Sequence, residues 1–429
     1  MAGTTSFPDS EVSFGSSPVY YEPPFHLSMF ERDFSIQSLS LSSLEGDSMS
    51  KEQRRATRPI GLRDRISCYE WTFFTMTMAT GGIANIVFKI PFHSDWVKAI
   101  GIFFFLMNLV LFFINCIGIS LRFYLNRGSF SASFTNPDEA LYIPSLFVTI
   151  ALILINICEY GVPSTGIWLL RTLETCFWIY TGFSIVASAA VYLIIWSTCT
   201  FPIQSMTPIW VFPAYPLLLT APLAANLIDA AALSNRNLAL NTTAMVFGAA
   251  AAQGAGCLIA FMISAAFVYR LMTHKLPDDI QRPGVFISIG PFGFTASSIV
   301  QLGNQANRIL PPNFLQAQHS ADIIRIVSML VGLWLWGLSM WFFLVSVGSL
   351  GKYFKRGNRL PFRMSWWSFV FPNTALVTAT QAMAKAFDSD GLRMFGTTVT
   401  VLLVAIWIAV FIVMVHNMSC RKLLWPAPR

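Results

Sequence analysis

Long apolar runs recur along the chain and are separated by short polar segments. About 20 apolar residues in an α-helix cross the hydrocarbon core of a membrane, which is about 30 Å thick. The pattern therefore predicts an all-α polytopic membrane protein with ten transmembrane helices. The predicted spans are 70–89, 97–121, 140–160, 168–196, 208–229, 244–271, 284–305, 322–350, 366–386 and 392–416. Because the connecting loops are short, consecutive spans form five helical hairpins.

The predicted spans are of two alternating kinds. Even-numbered spans consist mostly of Leu, Ile, Val and Phe, which suits contact with lipid. Odd-numbered spans collect small, polar and helix-breaking residues, as in "TMTMATGGIAN" of span 1 and "PIWVFPAYPLLLTAPLAAN" of span 5. Membrane helices tolerate proline and glycine where neighbours or water satisfy the freed backbone groups. The alternation predicts an inner ring of odd-numbered helices around a central pore, although small residues also simply permit close helix packing.

Two odd-numbered spans carry polar stripes at helical spacing, since residues three or four apart share one helix face. The stripe of span 9 is Phe371, Thr374, Thr378, Gln381 and Lys385, and that of span 7 is Phe294, Ser298, Gln301 and Gln305. Hydroxyls and amides are costly in hydrocarbon unless they find partners or water, so the stripes predict a polar path. The predicted lining also includes Thr80, Gly81 and Ala84 of span 1 and Thr220 of span 5.

The first residue of the span 9 stripe is aromatic and is followed by a proline, which interrupts helical hydrogen bonding. Phe371 directly precedes Pro372, where a helix would bend. A ring at such a bend can close a narrow pore, whereas a single phenylalanine in a membrane helix usually serves packing. The pattern predicts that Phe371 and Pro372 form a gate.

Acidic side chains lie at or near the ends of the predicted spans: Glu159, Glu174, Asp229, Asp388 and Asp390. A sodium or proton pump would need a carboxylate in mid-span. A neutral, donor-rich lining with half-helix N-termini at prolines suits an anion instead. Lys385 fits direct contact with that anion, or the commoner role of a lysine that extends to the membrane surface.

Composition and charge distribution agree with this interpretation. Hydrophobic residues make up 55% of the chain and charged residues 11%, against about 25% charged in typical soluble domains. With an even number of spans, Lys and Arg concentrate on the side of the two termini, which predicts cytosolic termini. The net charge of +7 then reflects topology and not a nucleic-acid partner. The sequon at Asn241 would lie outside as a possible glycosylation site.

Three regions follow from the pattern. Residues 1–65 are Ser-rich and lack a signal-peptide pattern, which predicts a disordered cytosolic tail, solvated or regulatory. Residues 66–418 form the ten-helix transmembrane domain, and residues 419–429 a short cytosolic tail. The seven scattered cysteines have no metal-ligand or disulfide spacing. No phosphate loop, nucleophile elbow or paired carboxylates point to an enzyme, and no cofactor is expected.

Four motifs in order resemble the tellurite-resistance/dicarboxylate transporter family: "TMATGGIA", "TPIWVFPAYP", "RPGVFISIGPFGF" and "WWSFVFPN". The resemblance covers about Tyr69 to Asn417 and is closest to fungal malic acid transporters, in which the motifs of spans 1 and 9 look similar to "CTMATGGV" and "WFAFIFPN". Plant slow anion channels and sulfite efflux pumps are related. The resemblance implies a quasi-five-fold bundle, a homotrimer with one pore per subunit, and a pore-blocking phenylalanine at Phe371, just before Pro372.

The resemblance also implies a small-anion substrate and a place in the lipid bilayer, with the plasma membrane expected. Malate or another C4-dicarboxylate is the first expectation. Sulfite, chloride or nitrate efflux, export of a specialised organic acid, and a non-transporting sensor or scaffold remain as alternatives. Uptake of a dianion against an inside-negative potential would require a proton, and the pattern places no titratable group in mid-span to carry it.

Overall fold

The computed structural model describes residues 61–92, 94–234, 240–311, 314–316, 319–354 and 360–425. Within these ranges the chain forms α-helices and short 3-10 segments and no β-strand, so the predicted all-α fold is confirmed. The predicted N-terminal tail up to residue 60, and residues 426–429 of the predicted C-terminal tail, lie outside the described residues. The boundaries of the three regions stay predictions.

Ten helices of 12 or more residues occur in the described part of the chain. They are α1 (Phe74–Phe88), α2 (Asp95–Leu125), α3 (Ser145–Asn156), α4 (Ile167–Thr198), α5 (Thr220–Leu233), α6 (Thr242–His274), α7 (Ile289–Asn304), α8 (Ser320–Ser349), α9 (Phe371–Ala386) and α10 (Asp390–Ser419). Shorter helices are Leu62–Ser67, Ser129–Thr135, Pro137–Ala140 and Ala306–Ile309.

Seven described helices are long and apolar enough to cross a membrane. They are Asp95–Leu125, Pro137–Ser164, Ile167–Thr198, Thr242–His274, Arg282–Asn304, Ser320–Tyr353 and Asp390–Ser419. An eighth span results if Pro208–Ala214 and Leu217–Leu233, bent by 69°, cross as one. The remaining two helices, α1 and α9, have 15 and 16 residues, so the total of ten spans stays a prediction.

Burial separates the helices into two layers. Every residue of α1 from Phe74 to Val87 is buried, and 89% of the most apolar part of Arg282–Asn304 is buried. The same fraction is between 22% and 39% for α2, α4, α6, α8 and α10. We call α1, α3, α5, α7 and α9 the inner helices. The outer helices expose large apolar side chains, which lipid can cover without hydrogen bonding.

The inner helices contact one another in a cyclic order: α1 with α3, α3 with α5, α5 with α7, α7 with α9, and α9 with α1. Each also contacts the outer helix that follows it in the chain. Glycines let two of these inner pairs approach closely. A Cβ at Gly82 of α1 would lie 2.8 Å from Thr374 Oγ1 of α9, and one at Gly293 of α7 would lie 2.7 Å from the backbone of Ala375 in α9.

A tighter 3-10 segment precedes four of the inner helices. These segments are Trp71–Phe73, Pro208–Ala214, Arg282–Ser288 and Met364–Phe369. Three of the four have a proline at the start of the segment or in the first turn of the helix that follows: Pro208, Pro283 and Pro372. A first-turn proline is tolerated because its missing N–H would have no partner within the helix. The prolines thus mark where the chain enters α5, α7 and α9.

Candidate functional site

Phe371 lies in a cluster of aromatic rings contributed by different inner elements. Its side chain is the first of α9 and is 3% exposed. Its ring centroid is 5.4 Å from that of Phe294 in α7 and 5.8 Å from that of Tyr215, which lies at the bend before α5. Phe212 contacts Tyr215 at 5.2 Å. We call these four residues the aromatic cluster. It connects the segment before α5 and the start of α9 with the first turns of α7.

Local hydrogen bonds and small residues hold the rings of the aromatic cluster in place. Pro372 occupies the first turn of α9, where it costs no backbone hydrogen bond. The hydroxyl of Tyr215 donates to the carbonyl of Ile287 at 2.7 Å. Gly290 leaves space for that hydroxyl, since a Cβ there would collide with it. Phe371 therefore packs against a ring whose own position is anchored to the segment before α7.

The hydroxyls of the two polar stripes donate within their own helices. Thr374 donates to the carbonyl of Phe371 at 2.6 Å, Thr378 to that of Ala375 at 2.9 Å, and Ser298 to that of Phe294 at 2.9 Å. Their protons are therefore used by the backbone, and their oxygens remain as acceptors. Donors for an anion would have to come mainly from amides and cations.

The other predicted lining residues are engaged with neighbouring helices. Thr80 accepts a hydrogen bond from the indole of Trp407 in α10 at 3.1 Å. Gly81 faces α2, because a Cβ there would lie 2.7 Å from the amide nitrogen of Asn108.

Thr220 and Ala84 also have partners on adjacent segments. The hydroxyl of Thr220 lies 2.8 Å from the carbonyl of Leu217 and 3.3 Å from that of Ala249 in α6. The carbonyl of Ala84 accepts from the Tyr160 hydroxyl at 2.7 Å. A lining role for these residues stays a prediction.

An acid bonded to two amides lies near the carboxyl ends of α5 and α7. Gln301 donates from Nε2 to one carboxylate oxygen of Asp229 at 2.6 Å, and Gln305 donates to the other oxygen. Gln305 is buried, and Asp229 and Gln301 are half-buried. The amides of the span 7 stripe thus hold a carboxylate of α5, which pattern analysis had placed only at a span end.

A second acid lies at the same end of the inner helices. Glu159, in the segment that follows α3, is 4% exposed and accepts from the amide of Asn85 in α1 at 2.7 Å. Lys89, the residue directly after α1, is half-buried and lies within electrostatic range of Glu159 and Asp229. Lys385 of α9 is exposed and within range of Lys89. We call the following residues the polar cluster: Asn85, Lys89, Glu159, Asp229, Gln301 and Gln305.

Gln381, the last amide of the span 9 stripe, bonds to two other helices near this end. Its Nε2 lies 3.4 Å from the carbonyl of Ile86 and 3.3 Å from the hydroxyl of Thr400. Every inner helix, or the segment directly after it, therefore contributes an amide or a charge at its carboxyl end. That recurrence of polar residues in the last turns of odd-numbered spans is the sequence signal that could have revealed the polar cluster.

Two further expectations concern metals and glycosylation. Among the described residues, no group of three or more His, Cys, Asp or Glu is placed to hold a metal ion. Asn241 is exposed at the start of α6, and its side-chain oxygen accepts from the backbone of Ala244 at 3.3 Å. Glycosylation of Asn241 stays a prediction.

Comparison with known proteins identifies the family. A family model described as voltage-dependent anion channel, SLAC1, matches residues 68–415. The malic acid transport protein of Schizosaccharomyces pombe is 27% identical over 368 residues, covering 86% of this chain and 82% of that protein. The sulfite efflux pump SSU1 of Trichophyton rubrum is 27% identical over 363 residues, covering 83% and 92%. An uncharacterized transporter of Methanocaldococcus jannaschii is 23% identical, covering 84% and 98%. The resemblance found in the sequence is thereby confirmed: the chain belongs to the voltage-dependent anion channel family and is a multi-pass membrane protein that transports anions.

Proposed function

We propose that this protein carries C4-dicarboxylates such as malate across the plasma membrane, along a central path between the inner helices that closes at Phe371. The choice of substrate is supported by the similarity to the malic acid transport protein over 86% of the chain. The path accounts for the polar stripes of α7 and α9 and for the polar cluster at the carboxyl ends of the inner helices.

The aromatic cluster carries the gate proposal. Phe371 is buried against Phe294 and Tyr215, so rings from three inner elements meet where α9 begins. Each aromatic contact adds about 0.5–1.5 kcal/mol beyond area burial. Two such contacts stabilise the closed position of the Phe371 ring by about 1–3 kcal/mol, an amount that a rotamer change with modest rearrangement can overcome. A phenyl ring in this position blocks an anion and can still move.

Membrane voltage determines the favoured direction of net flux. A dianion that leaves a cell along an inside-negative potential gains about 2.3 kcal/mol per charge for each 100 mV. Passive efflux therefore needs no coupled ion. Accumulation against the potential requires a proton or a protonated substrate.

Replacement of Phe371 by alanine tests the gate. We expect larger malate currents in voltage-clamped cells, because the loss of two ring contacts shifts the closed–open equilibrium by about 5–150-fold. The currents of wild type and Phe371→Ala are compared with malate, sulfite, nitrate and chloride in turn, normalised to the amount of protein at the cell surface.

Phe292→Ala is the matched control, because Phe292 is an equally buried phenylalanine that stacks on Phe342 of α8 at 5.6 Å, away from the aromatic cluster. It should reduce stability and leave the open probability unchanged. Equal currents in Phe371→Ala and wild type would contradict the gate. Currents carried by sulfite and not by malate would favour the second candidate function, sulfite efflux. The chain is 27% identical to the sulfite efflux pump, the same identity as to the malic acid transport protein.

The assembly and orientation belong to the same proposal. We infer a homotrimer in the plasma membrane, with one path per subunit and both termini in the cytosol. Support comes from the family resemblance and from the concentration of Lys and Arg on the side of the termini.

A further inference from the structure

The polar cluster places two acids where an anion path would end. A carboxylate repels an approaching anion, and the carboxyl ends of helices are themselves partially negative. Glu159 and Asp229 both lie at these ends, together with Lys89. A cluster that served only to attract anions would not include two carboxylates. The two carboxylates would hinder an anion at this position, so we look for a state in which one of them is neutral.

The two acids differ in how their oxygens are bonded. Each carboxylate oxygen of Asp229 accepts a hydrogen bond from a side-chain amide, one from Gln301 and the other from Gln305, so both oxygens have a donor. Glu159 accepts from Asn85 on Oε1, while its buried Oε2 has no hydrogen-bond partner among the described residues. Oε2 of Glu159 is therefore the atom at which a proton can be added without displacing an existing donor.

The charged groups around Glu159 come from three inner helices. Lys89 and Asp229 lie within electrostatic range of Glu159, and Lys385 lies within range of Lys89. When Glu159 and Asp229 are both ionised, their negative charges balance the positive charges of Lys89 and Lys385. A proton on Glu159 leaves these four residues with one net positive charge. Among the described residues, the remaining titratable neighbours are the thiol of Cys158 and the phenol of Tyr160 on its own segment, groups that are ordinarily neutral near pH 7.

We propose that Lys89 and Glu159 form one site that binds a substrate carboxylate and a proton together, at the carboxyl ends of the inner helices. The inference rests on the proposed function. When Oε2 of Glu159 takes a proton from the adjoining aqueous side, Glu159 stops competing for Lys89, whose ammonium group then holds the anion. Loss of that proton restores the attraction between Glu159 and Lys89 and releases the anion. By linkage, the proton raises anion affinity by the same factor by which the anion raises proton affinity.

The pH dependence of malate flux tests the site. Full-length wild type and Glu159→Gln are reconstituted in liposomes that contain a pH-sensitive dye, and malate uptake and proton uptake are followed together between about pH 5 and pH 8. Glutamine has nearly the same shape as glutamate and mimics its neutral state. We expect equal fluxes at the acidic end, which also shows that the variant is folded.

Towards the alkaline end, wild-type flux should fall by up to about tenfold per pH unit relative to Glu159→Gln, the limit for a single proton. Because both proteins are measured in the same solutions, their ratio cancels the ionisation of malate itself. Wild type should carry protons with malate, and Glu159→Gln should carry malate without them.

Two further sets of variants separate the site from general charge effects. Glu174→Gln is the matched control, since Glu174 lies on the outer helix α4 and accepts from the backbone of Asn241 at 3.0 Å, a bond that glutamine retains. It should keep the wild-type pH profile. Lys89→Met should raise the malate concentration needed for half-maximal flux at every pH, and Lys89→Arg should restore it.

A wild-type pH profile in Glu159→Gln, or malate uptake by wild type without proton uptake, would overturn the site and leave the transport function intact. If sulfite is transported and malate is not, the dicarboxylate proposal fails. The ratio of wild-type to Glu159→Gln flux, measured with sulfite across the same pH range, then decides whether Glu159 binds the proton. Absence of flux for every anion would overturn both proposals.

Discussion

At the scale of single residues, a buried ion pair links two segments of the chain. Arg122, near the end of α2, and Glu139, in the helix Pro137–Ala140, are 8% and 4% exposed. Their side chains form a two-bond pair in which Arg122 Nη2 lies 3.0 Å from one oxygen of Glu139 and Nη1 donates to the other. The pair joins the first hairpin to the segment that leads into α3.

Removal of one partner of this pair should be costly. Glu139→Ala leaves an uncompensated buried guanidinium, and we expect the free energy of unfolding to fall by about 3–5 kcal/mol. Thermal unfolding of the purified protein in detergent measures this. The control is Asp390→Ala, because Asp390 is exposed and pairs at 2.8 Å with Arg393, whose side chain is half-buried; ion pairs at the surface contribute little. Equal destabilisation by both changes would contradict the prediction.

At the scale of elements, the close approach of α7 and α9 determines where the aromatic cluster forms. Gly293 lies against the backbone of Ala375, directly before Phe294 in sequence. Main-chain atoms cannot rotate away as a side chain can, so the contact fixes the separation of the two helices. The position of the Phe294 ring relative to Phe371 depends on that separation.

Gly293→Ala should push α7 and α9 apart. The added Cβ would stand 2.7 Å from a backbone carbon, and overpacking of this kind costs about 1–3 kcal/mol. We expect a lower unfolding temperature and an enlarged leak of anions, because the Phe294–Phe371 contact loosens. Gly337→Ala in α8 is the control, since no atom lies within 4 Å of a Cβ there. A Gly293→Ala protein with unchanged stability and leak would show that the separation is not critical.

At the scale of the whole molecule, the number of spans determines on which side the chain ends. Seven described helices pass the requirements for a span, and the bent pair makes eight. Inclusion of the shorter helices α1 and α9 makes ten, the predicted number. An odd number would separate the termini, whereas eight or ten places both on one side.

Chemical labelling decides this topology. Cys420 is exposed just after α10, and we expect a membrane-impermeant maleimide to reach it only after the cells are permeabilised. Cys420→Ser identifies that signal among the other cysteines. Enzymatic deglycosylation should shift the size of wild type and leave Asn241→Gln unchanged, because Asn241 would face outside. Labelling of Cys420 in intact cells would exclude cytosolic termini.

Sequence analysis identified some features of the site and missed others. The spacing of residues 371, 374, 378 and 381 follows from helix geometry alone, and all four are buried, as is every residue of α9 from Phe371 to Gln381. The polar cluster did not follow, because Asn85 and Glu159 are 74 residues apart and Gln301 and Asp229 are 72 apart. The sequence also did not show that the threonine hydroxyls donate to backbone carbonyls of their own helix. A hydroxyl on a predicted stripe can donate either to the backbone or to a ligand.

The sequence by itself determined the all-α architecture, the membrane environment and the family, because hydrophobic run length and local motifs are properties of neighbouring residues. The tertiary structure decided which side chains meet: Phe371 with Tyr215 and Phe294, Asn85 with Glu159, and Gln301 and Gln305 with Asp229. Helix periodicity specifies a face but not its partner. The partner depends on how the inner helices bend at their prolines and how closely their glycines let them pack, and both are settled only when all the helices are assembled.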